Sequence, residues 1–294
     1  MTPSGIPPEP EDVRALRVDD DWWPRPPKSG PFRHTVGVRP GDAARWLRPG
    51  PFDEVLRRWQ NDVLDVVGDA AFVALPGSEQ AGQEALALVT RAAGDRDVVG
   101  GAHPLDRAAR HVVEDLCLVD VSGPDPVLIA ASVVMPNRWR LADKLGHNLV
   151  GVHAPVPGYA EEIGTATDRL MRRLAGDRIM ARASWAITDR PDLFQPAHSS
   201  RVEQARPDVR TGEQAADALF IRVEYQTVRA LPESAAVLFT IHTAREPLSA
   251  LARRPAVANT MLAVLDGQSQ EHHRYKGVAP YLGPLRECLR SFAA

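Results

Sequence analysis

The amino-acid sequence predicts an α+β fold in which helices are grouped around an antiparallel sheet. Two pairs of strand-like segments, each joined by a short turn, predict two hairpins. Helical segments precede, separate and follow these pairs and do not alternate with single strands, so parallel βαβ units are not expected. The 294 residues are 44% hydrophobic, and a chain of this length and composition can bury a substantial core.

The first 30 residues differ in composition from the rest of the chain. They contain seven prolines, so we expect residues 1–30 to form an extended arm with little structure of its own. Trp22 and Trp23 are expected to anchor this arm to the domain surface. Residues 31–294 are expected to form one α+β domain.

The stretch from Val36 to Gly94 is predicted to be mainly helical. Of its two helical segments, the later one covers residues 83–94, and Gly94 is suited to end that helix. Residues 107–121 begin as a helix and continue as a strand. The first helical segment, over residues 52–67, has apolar residues at helical spacing, namely Phe52, Leu56, Trp59, Val63 and Val66.

The strand-like segments follow. Residues 116–121 and 126–135 flank SGPD, and residues 218–231 and 235–244 flank PES, which predicts the two antiparallel hairpins. Residues 179–188 form another strand candidate. Helices are predicted over residues 141–153, where prolines stop the helix, and over 161–176, 257–267 and 281–292.

Charge and composition exclude several classes of function. The formal net charge is −3 and no basic stripe is present, so nucleic-acid binding is not expected. No apolar run approaches the roughly 20 residues of a membrane span, and the start does not resemble a secretory signal. We therefore expect a cytoplasmic protein without a membrane partner. Cys117 and Cys288 are expected to be buried free thiols, although a disulfide is an alternative, and two cysteines cannot hold an iron–sulfur cluster.

Common catalytic motifs are absent from the sequence. There is no Walker loop, no glycine-rich strand-to-helix turn and no G-x-S-x-G elbow. H-E-x-x-H and C-x-x-C are also missing, which disfavours a zinc site. Bound nucleotides and dinucleotides are therefore not expected.

Six uncommon segments occur in a fixed order: VEDLCLVD, MPNRWRLADKLG, GVHAPVPGY, RASWAI, RVEYQTVRALPESAAVLFTIHT and HRYKG. This series resembles the haem-dependent oxidative N-demethylase family from about Thr35 to Leu289. The resemblance implies a PAS-like antiparallel sheet flanked by helices that holds haem b, with its iron bound by one histidine. It also implies separate flavin and iron–sulfur proteins that deliver electrons.

Two of the nine histidines are candidates for the iron ligand. His153 follows a predicted helix, precedes prolines that stiffen the backbone, and lies in GVHAPVPGY. The alternative for His153 is a cap on the end of that helix. His242 is the rival, because alternation puts it with Leu238 and Thr240 on one strand face. If that face lines the haem pocket, His242 is a distal catalytic group or the ligand.

Alternation along FIRVEYQTV puts Arg222, Glu224 and Gln226 on one strand face. A solvent-exposed face is one interpretation. The other is a pocket wall, in which Glu224 holds the ammonium group of an amine and relays protons, and Arg222 pairs with a haem propionate. Gln226 completes the matched catalytic set. The family pattern here is R-V-E-R-Q, and Tyr225 replaces its second arginine, so a role for that arginine is not carried over.

Four further residues match family segments. Arg182 and Trp185 match R-x-N-W, in which Ser184 replaces the asparagine, and they are expected to contact the haem. Trp185 is equally suited to the protein core. Lys144 and Lys276 are expected to bind propionates, with ordinary surface positions as the alternative.

The function implied by the resemblance is a haem-dependent monooxygenase-type reaction on a small amine. It would use O2 and externally supplied electrons for oxidative N-demethylation or a related C–H or N oxidation. The alternatives are a haem-binding PAS-like sensor without catalysis, and a haem-free scaffold or hydrolase. The sequence does not distinguish a homo-oligomer from a monomer.

Overall fold

The computed structural model describes residues 5–11, 18, 20–23, 32–44, 46–47, 50, 53–94, 96, 98–197 and 207–293. The predicted α+β arrangement is confirmed. One antiparallel sheet has the strand order β1-β5-β6-β7-β3-β4-β2. Its strands are β1 (Arg39–Pro40), β2 (Phe72–Ala74), β3 (Asp115–Asp120), β4 (Val127–Ser132), β5 (Ile179–Thr188), β6 (Phe220–Leu231) and β7 (Ala236–Pro247).

Helices surround this sheet. The described α-helices are α1 (Asp53–Val67), α2 (Glu79–Ala93), α3 (Pro104–Ala109), α4 (Leu149–Val152), α5 (Thr165–Arg173), α6 (Gly212–Ala218), α7 (Pro255–Gly267), α8 (Gln270–Tyr275) and α9 (Leu282–Ala293). A π-helix, Ala160–Gly164, leads directly into α5.

Both predicted hairpins are present, as β3–β4 and β6–β7. In the β6–β7 ladder, Gln226 lies opposite Ile241 and Tyr225 lies opposite His242. Opposite residues of an antiparallel pair share a face of the sheet. We call the side of Gln226 and Ile241 the front face, and the side of Tyr225 and His242 the back face.

This register agrees with the alternation of side chains that was predicted for β6 and β7. Arg222, Glu224 and Gln226 lie on one side of β6, and Glu224 accepts hydrogen bonds from both neighbours. On β7, His242 lies opposite Tyr225 on the back face, as its spacing from Leu238 predicted.

Different elements cover the two faces of the sheet. Two apolar clusters join α2, α3, α6, α7 and α9 to the back face, and they include Leu116, Leu118, Leu238, Ile221, Val223 and Ala244. The connection between β4 and β5 covers the front face, with Leu141, Leu149 and Met171 packed against Cys117, Val228 and Val237.

Several predicted elements differ from the structure. In α1, Val66 is 41% exposed and Val67 is buried in its place, because the stripe continues from Val63 at a spacing of four residues. Phe52 lies outside the described residues. The predicted helix over 141–153 is reduced to one turn of 3₁₀-helix and the four residues of α4, since Gly146 between them has φ +78°.

Aromatic contacts fix the described part of the arm. The ring of Trp22 stacks on Tyr225, with centroids 5.0 Å apart, and the Arg254 guanidinium lies over Trp23. These contacts are the anchor expected of the two tryptophans. Most of residues 1–30 lies outside the described residues, so the division into arm and domain stays a prediction.

Cys117 and Cys288 are free and buried, as predicted. Within the described ranges, no helix combines the length and the hydropathy that crossing a membrane requires.

Candidate functional site

A cavity of about 440 Å³ lies between the front face of the sheet and the β4–β5 connection. Small-molecule and cofactor sites typically enclose roughly 300–1,000 Å³. Most of its wall is apolar, with side chains from the sheet, α4 and α5 that include Cys117, Val228, Phe239, Ile241, Leu149, Leu170 and Met171.

An extended segment before β1, residues 32–38, closes another side of the cavity, and we call it the N-terminal strap. Val36 and Val38 line the cavity, and the Val36 carbonyl accepts a hydrogen bond from Arg182 Nη1 at 3.3 Å. His34 fastens the other end of the strap. Its Nε2 lies 2.9 Å from the carbonyl oxygen of Pro157 and 3.0 Å from His272 Nε2.

His153 lies directly after α4 and lines the cavity. Its Nδ1 is 2.8 Å from the Leu149 carbonyl oxygen, which can only accept, so Nδ1 carries the proton. The lone pair is then on Nε2, and no hydrogen bond from the described residues reaches that atom. Tyr159 stacks on the ring with centroids 4.1 Å apart and an angle of 7° between the planes.

The environment of His153 disfavours its protonated form. Burial lowers the pKa of this imidazole to about 4, and the charges of Arg182 and Lys144 act in the same direction. The hydrogen bond to Leu149 opposes these effects and does not overcome them. His153 is therefore neutral near pH 7, the form in which imidazole binds metals.

The polar part of the cavity wall is basic. Among the described residues that line it there are no aspartates or glutamates. Burial lowers the pKa of Lys144, Arg182 and Lys276, because the charged forms lose solvation. The basic side chains of the wall are Arg138, Lys144, Arg182 and Lys276.

Carboxylates stand behind these cations and do not line the cavity. Asp189 forms a buried ion pair with Arg138 and accepts a hydrogen bond from the Tyr281 hydroxyl at 2.8 Å. Glu224 accepts from Gln226 Nε2 at 3.0 Å, and Gln226 in turn accepts from Arg182 Nε at 2.7 Å. The surface that a ligand would meet is thus apolar and positive.

This set of groups fits haem. A flat apolar macrocycle suits the aliphatic and aromatic wall, two propionates suit the basic side chains, and a neutral imidazole with a free lone pair suits the iron. Residues 77–285, more than half of the chain, match the model of the family described as haem-dependent oxidative N-demethylase, alpha subunit-like.

The chain belongs to this family. The resemblance recognised from the ordered segments is therefore confirmed. The family description supports a haem-dependent oxidative enzyme, and a cavity whose described lining is basic and holds no carboxylate is consistent with that dependence.

In this N-demethylase-like chain, the cavity brings together five of the nine predicted site residues. They come from separate elements: the β4–β5 connection, β5, β6 and the turn after α8. These five are Lys144, His153, Arg182, Gln226 and Lys276.

Arg222 and Glu224 lie next to the cavity but do not line it. Arg222 is only 2% exposed, and it donates to the carbonyl oxygens of Met135 and Leu193 and pairs with Glu224. Its guanidinium is thus occupied by protein acceptors. Glu224 reaches the cavity through its hydrogen bond to Gln226.

His242 and Trp185 lie on the back face. His242 Nδ1 is 3.1 Å from Glu114 Oε1, and its ring meets the edge of Trp22. Trp185 packs against the apolar cluster of the back face, and its carbonyl accepts a hydrogen bond from Lys276 Nζ at 3.2 Å. Neither side chain lines the cavity, and Trp185 is connected to it through Lys276, whose Nζ lies 6.0 Å from the centre of the Trp185 ring.

Three residues with prominent positions in the site were not singled out from the sequence. Tyr159 ends GVHAPVPGY, and its place in the same segment as His153 was the available signal. Arg138 lies in MPNRW and has φ +61°, which its residue type does not predict. Val36, on the strap, carries no sequence signal, because its position depends on contacts far along the chain.

Proposed function

We propose that this chain binds one haem b through His153 and oxidises a small amine with O2, using electrons from a separate flavin or iron–sulfur protein. The observation that carries the proposal is a neutral histidine whose Nε2 has no hydrogen bond from the described residues, in a basic cavity with no carboxylates among its described lining residues. Membership of the family supports the oxidative chemistry and the dependence on haem.

The residues of the cavity divide into three groups by role. His153 Nε2 binds the iron, and Lys144, Arg182 and Lys276 bind the propionates. When bound, haem supplies the oxidation of a C–H bond next to nitrogen, by N-demethylation or a related reaction. The apolar wall excludes water from that region.

Glu224 and Gln226 are proposed to serve the substrate. Gln226 presents its side-chain amide at the cavity, and Glu224 fixes that amide from behind. The Glu224 carboxylate would offset the charge of an ammonium group, and either of its oxygens could hold a proton during turnover. Support comes from the unbroken hydrogen-bonded path from Glu224 through Gln226 to Arg182.

The PAS-like description, the cytoplasmic location and the separate electron donor belong to the same proposal. The five central strands follow the order β4-β3-β7-β6-β5, and the β4–β5 connection supplies the helical cover of the cavity. This arrangement supports a PAS-like sheet. A homo-oligomer remains an alternative to a monomer.

Titration of the purified chain with haemin tests the proposal. We expect one equivalent to bind with a sharp Soret band, and His153→Ala to lose or greatly weaken it. The matched control is His147→Ala, because His147 is exposed and does not line the cavity. His242→Ala should shift the band only slightly. If His242→Ala alone loses haem, the assignment of His153 as the ligand is wrong.

The enzyme and sensor interpretations differ in one measurement. With dithionite or a surrogate reductase, an enzyme should consume O2 in an amine-dependent way and release product. A stable O2 adduct without product across a panel of N-methyl amines would favour a sensor. A colourless chain that takes up no haem would contradict the proposal altogether.

A further inference from the structure

We infer that Tyr159 is a positioning residue that fixes the plane of the His153 imidazole. This inference rests on the proposed function, in which His153 binds the haem iron. It concerns the orientation of the ligand and not its identity.

Two contacts hold the His153 ring, and they constrain different motions. The hydrogen bond from Nδ1 to the Leu149 carbonyl holds one atom of the ring in place. The parallel stack on Tyr159, with 7° between the planes, restricts rotation about the bond that joins the ring to Cβ. Together they leave Nε2 with one direction into the cavity, as outer-shell contacts do for metal-binding histidines.

The backbone around Tyr159 is built to hold this ring. Tyr159 is only 5% exposed, and it follows Gly158, whose φ of +74° suits glycine. The π-helix begins at the next residue, and such wide turns are frequent at functional sites. Gly164 lies beside the ring, since a Cβ added there would be 3.9 Å from Tyr159 Cε1.

The plane of an axial imidazole has a spectroscopic signature. It sets the energy separation of the iron d orbitals of ferric haem, and that separation determines the g values in electron paramagnetic resonance. A ring held in one plane gives narrow signals at fixed g values. A ring free to rotate gives shifted or broadened signals, even when the same nitrogen stays bound.

The experiment compares ring-containing and ring-less side chains at position 159 in the full haem-loaded chain. Tyr159→Phe keeps the stack and should reproduce the wild-type g values of the ferric cyanide complex. Tyr159→Leu and Tyr159→Met remove the ring and should shift or broaden them. Haem transfer to apomyoglobin should be roughly tenfold faster in both ring-less variants, at the low end of the range for groups that orient a metal ligand.

Phe239→Leu is the matched control, because Phe239 lines the same cavity from β7, whereas the ring stacked on His153 is that of Tyr159. It should speed haem loss without changing the g values. Unchanged g values in both ring-less variants would overturn the inference, and so would an equal change in Phe239→Leu or in Tyr159→Phe. Thermal unfolding of each haem-free variant identifies any variant that fails to fold. If one of the two ring-less variants fails, the g values of the other test the inference.

The ligand itself is checked separately. If His153→Ala keeps the Soret band and the wild-type g values, the proposed ligand is wrong. If His153→Ala loses the band while the ring-less variants match wild type, the proposed function stands and only the role of Tyr159 is overturned.

Discussion

At the scale of single residues, His153 uses its two ring nitrogens for different purposes. Nδ1 donates to the carbonyl of Leu149, four residues earlier, and so satisfies one of the last carbonyls of α4. Nε2 is directed to the other side of the ring, and the ring lines the cavity. Capping the helix and binding a metal are therefore compatible roles, because the first sets the tautomer that the second requires.

Glu224→Gln tests whether the carboxylate behind Gln226 acts on the substrate. We expect haem content near wild type and amine turnover roughly 10- to 150-fold lower, since the Gln226 amide would lose the charge-assisted hydrogen bond that fixes it, worth about 1.5–3 kcal/mol. Haem occupancy, the amine-induced spectral shift and turnover are measured on the same preparation. Lost haem would make Glu224 structural, and unchanged turnover with normal haem would remove it from the mechanism.

Glu114→Gln is the control for this variant, because Glu114 contacts His242 on the back face. It should leave turnover within about twofold of wild type, as expected of a group outside the site. If Glu114→Gln loses as much turnover as Glu224→Gln, then His242 and the back face contribute to turnover, and the effect is not specific to Glu224.

At the scale of secondary-structure elements, the residue pattern predicts the long strands well and the short ones poorly. Strand β5 has the predicted bounds, whereas β1 and β2 have two and three residues and no alternation to detect. Alternation also put His242 on the correct side of β7. It does not reveal which side faces a cavity, because that depends on where the β4–β5 connection packs. Deciding whether His242 belongs to the site therefore needed this tertiary information.

The strap is expected to loosen as the pH falls. Burial lowers the pKa of His272, and the nearby charges of His34 and Lys276 lower it further, while Glu162 and Glu271 oppose them. Because the pKa of His272 is lowered in the folded chain, its neutral form stabilises the closed strap at pH values above the ordinary histidine pKa of about 6.5. This contribution is lost as the pH falls below that value. Protonation of His272 would place an N–H against His34 Nε2 at 3.0 Å and so weaken the contact that fastens the strap.

Hydrogen exchange of residues 32–38, corrected for intrinsic rates, measures this loosening. Between pH 7.5 and 5.5 we expect protection to fall roughly three- to tenfold, a modest change because solvent partly screens this half-buried pair. His272→Asn removes the titrating group and should flatten the dependence. A wild-type chain with constant protection across this range would contradict the expectation.

Packing of α6 against α9 gives a stability prediction. A Cβ on Gly212 would lie 2.8 Å from the backbone nitrogen of Cys288, so Gly212→Ala should destabilise the fold by about 1–3 kcal/mol. Gly283→Ala in α9 is the control, because no described atom beyond its chain neighbours and its own helix backbone lies within 4 Å of the added Cβ. Thermal denaturation should show a lower midpoint for the first variant and no decrease for the second.

At the scale of the whole molecule, the charge of the chain and the charge of its cavity have opposite signs. The formal net charge is −3, yet the described cavity wall carries cations and no carboxylates. Composition therefore gave no indication of a nucleic-acid partner, and it gave none of a local anion site either. Only the ordered family segments indicated haem, because Lys144, Arg182 and Lys276 are far apart in sequence.

The isolated haem-loaded chain should not turn over with NADPH or NADH alone. The sequence has no dinucleotide motif, and its two cysteines are buried and free, so we expect no route for hydride-derived electrons. A surrogate ferredoxin with its reductase should restore product. Sustained NADPH oxidation coupled to product by the chain alone would contradict the need for a separate donor.

The strap also has a consequence for the order in which the cavity is completed during synthesis. The strap is made before the residues that hold it. Arg182, which donates to the Val36 carbonyl, is made 146 residues after Val36, and His272, which contacts His34, is made 238 residues after His34. At about 5–20 residues per second, His272 follows His34 by roughly 12–48 seconds. The sheet and the β4–β5 connection emerge within that interval, and Lys276 of the cavity wall follows His272 by four residues, so the side of the cavity that these late residues complete stays unfinished until then. Haem that arrives co-translationally would find this side open.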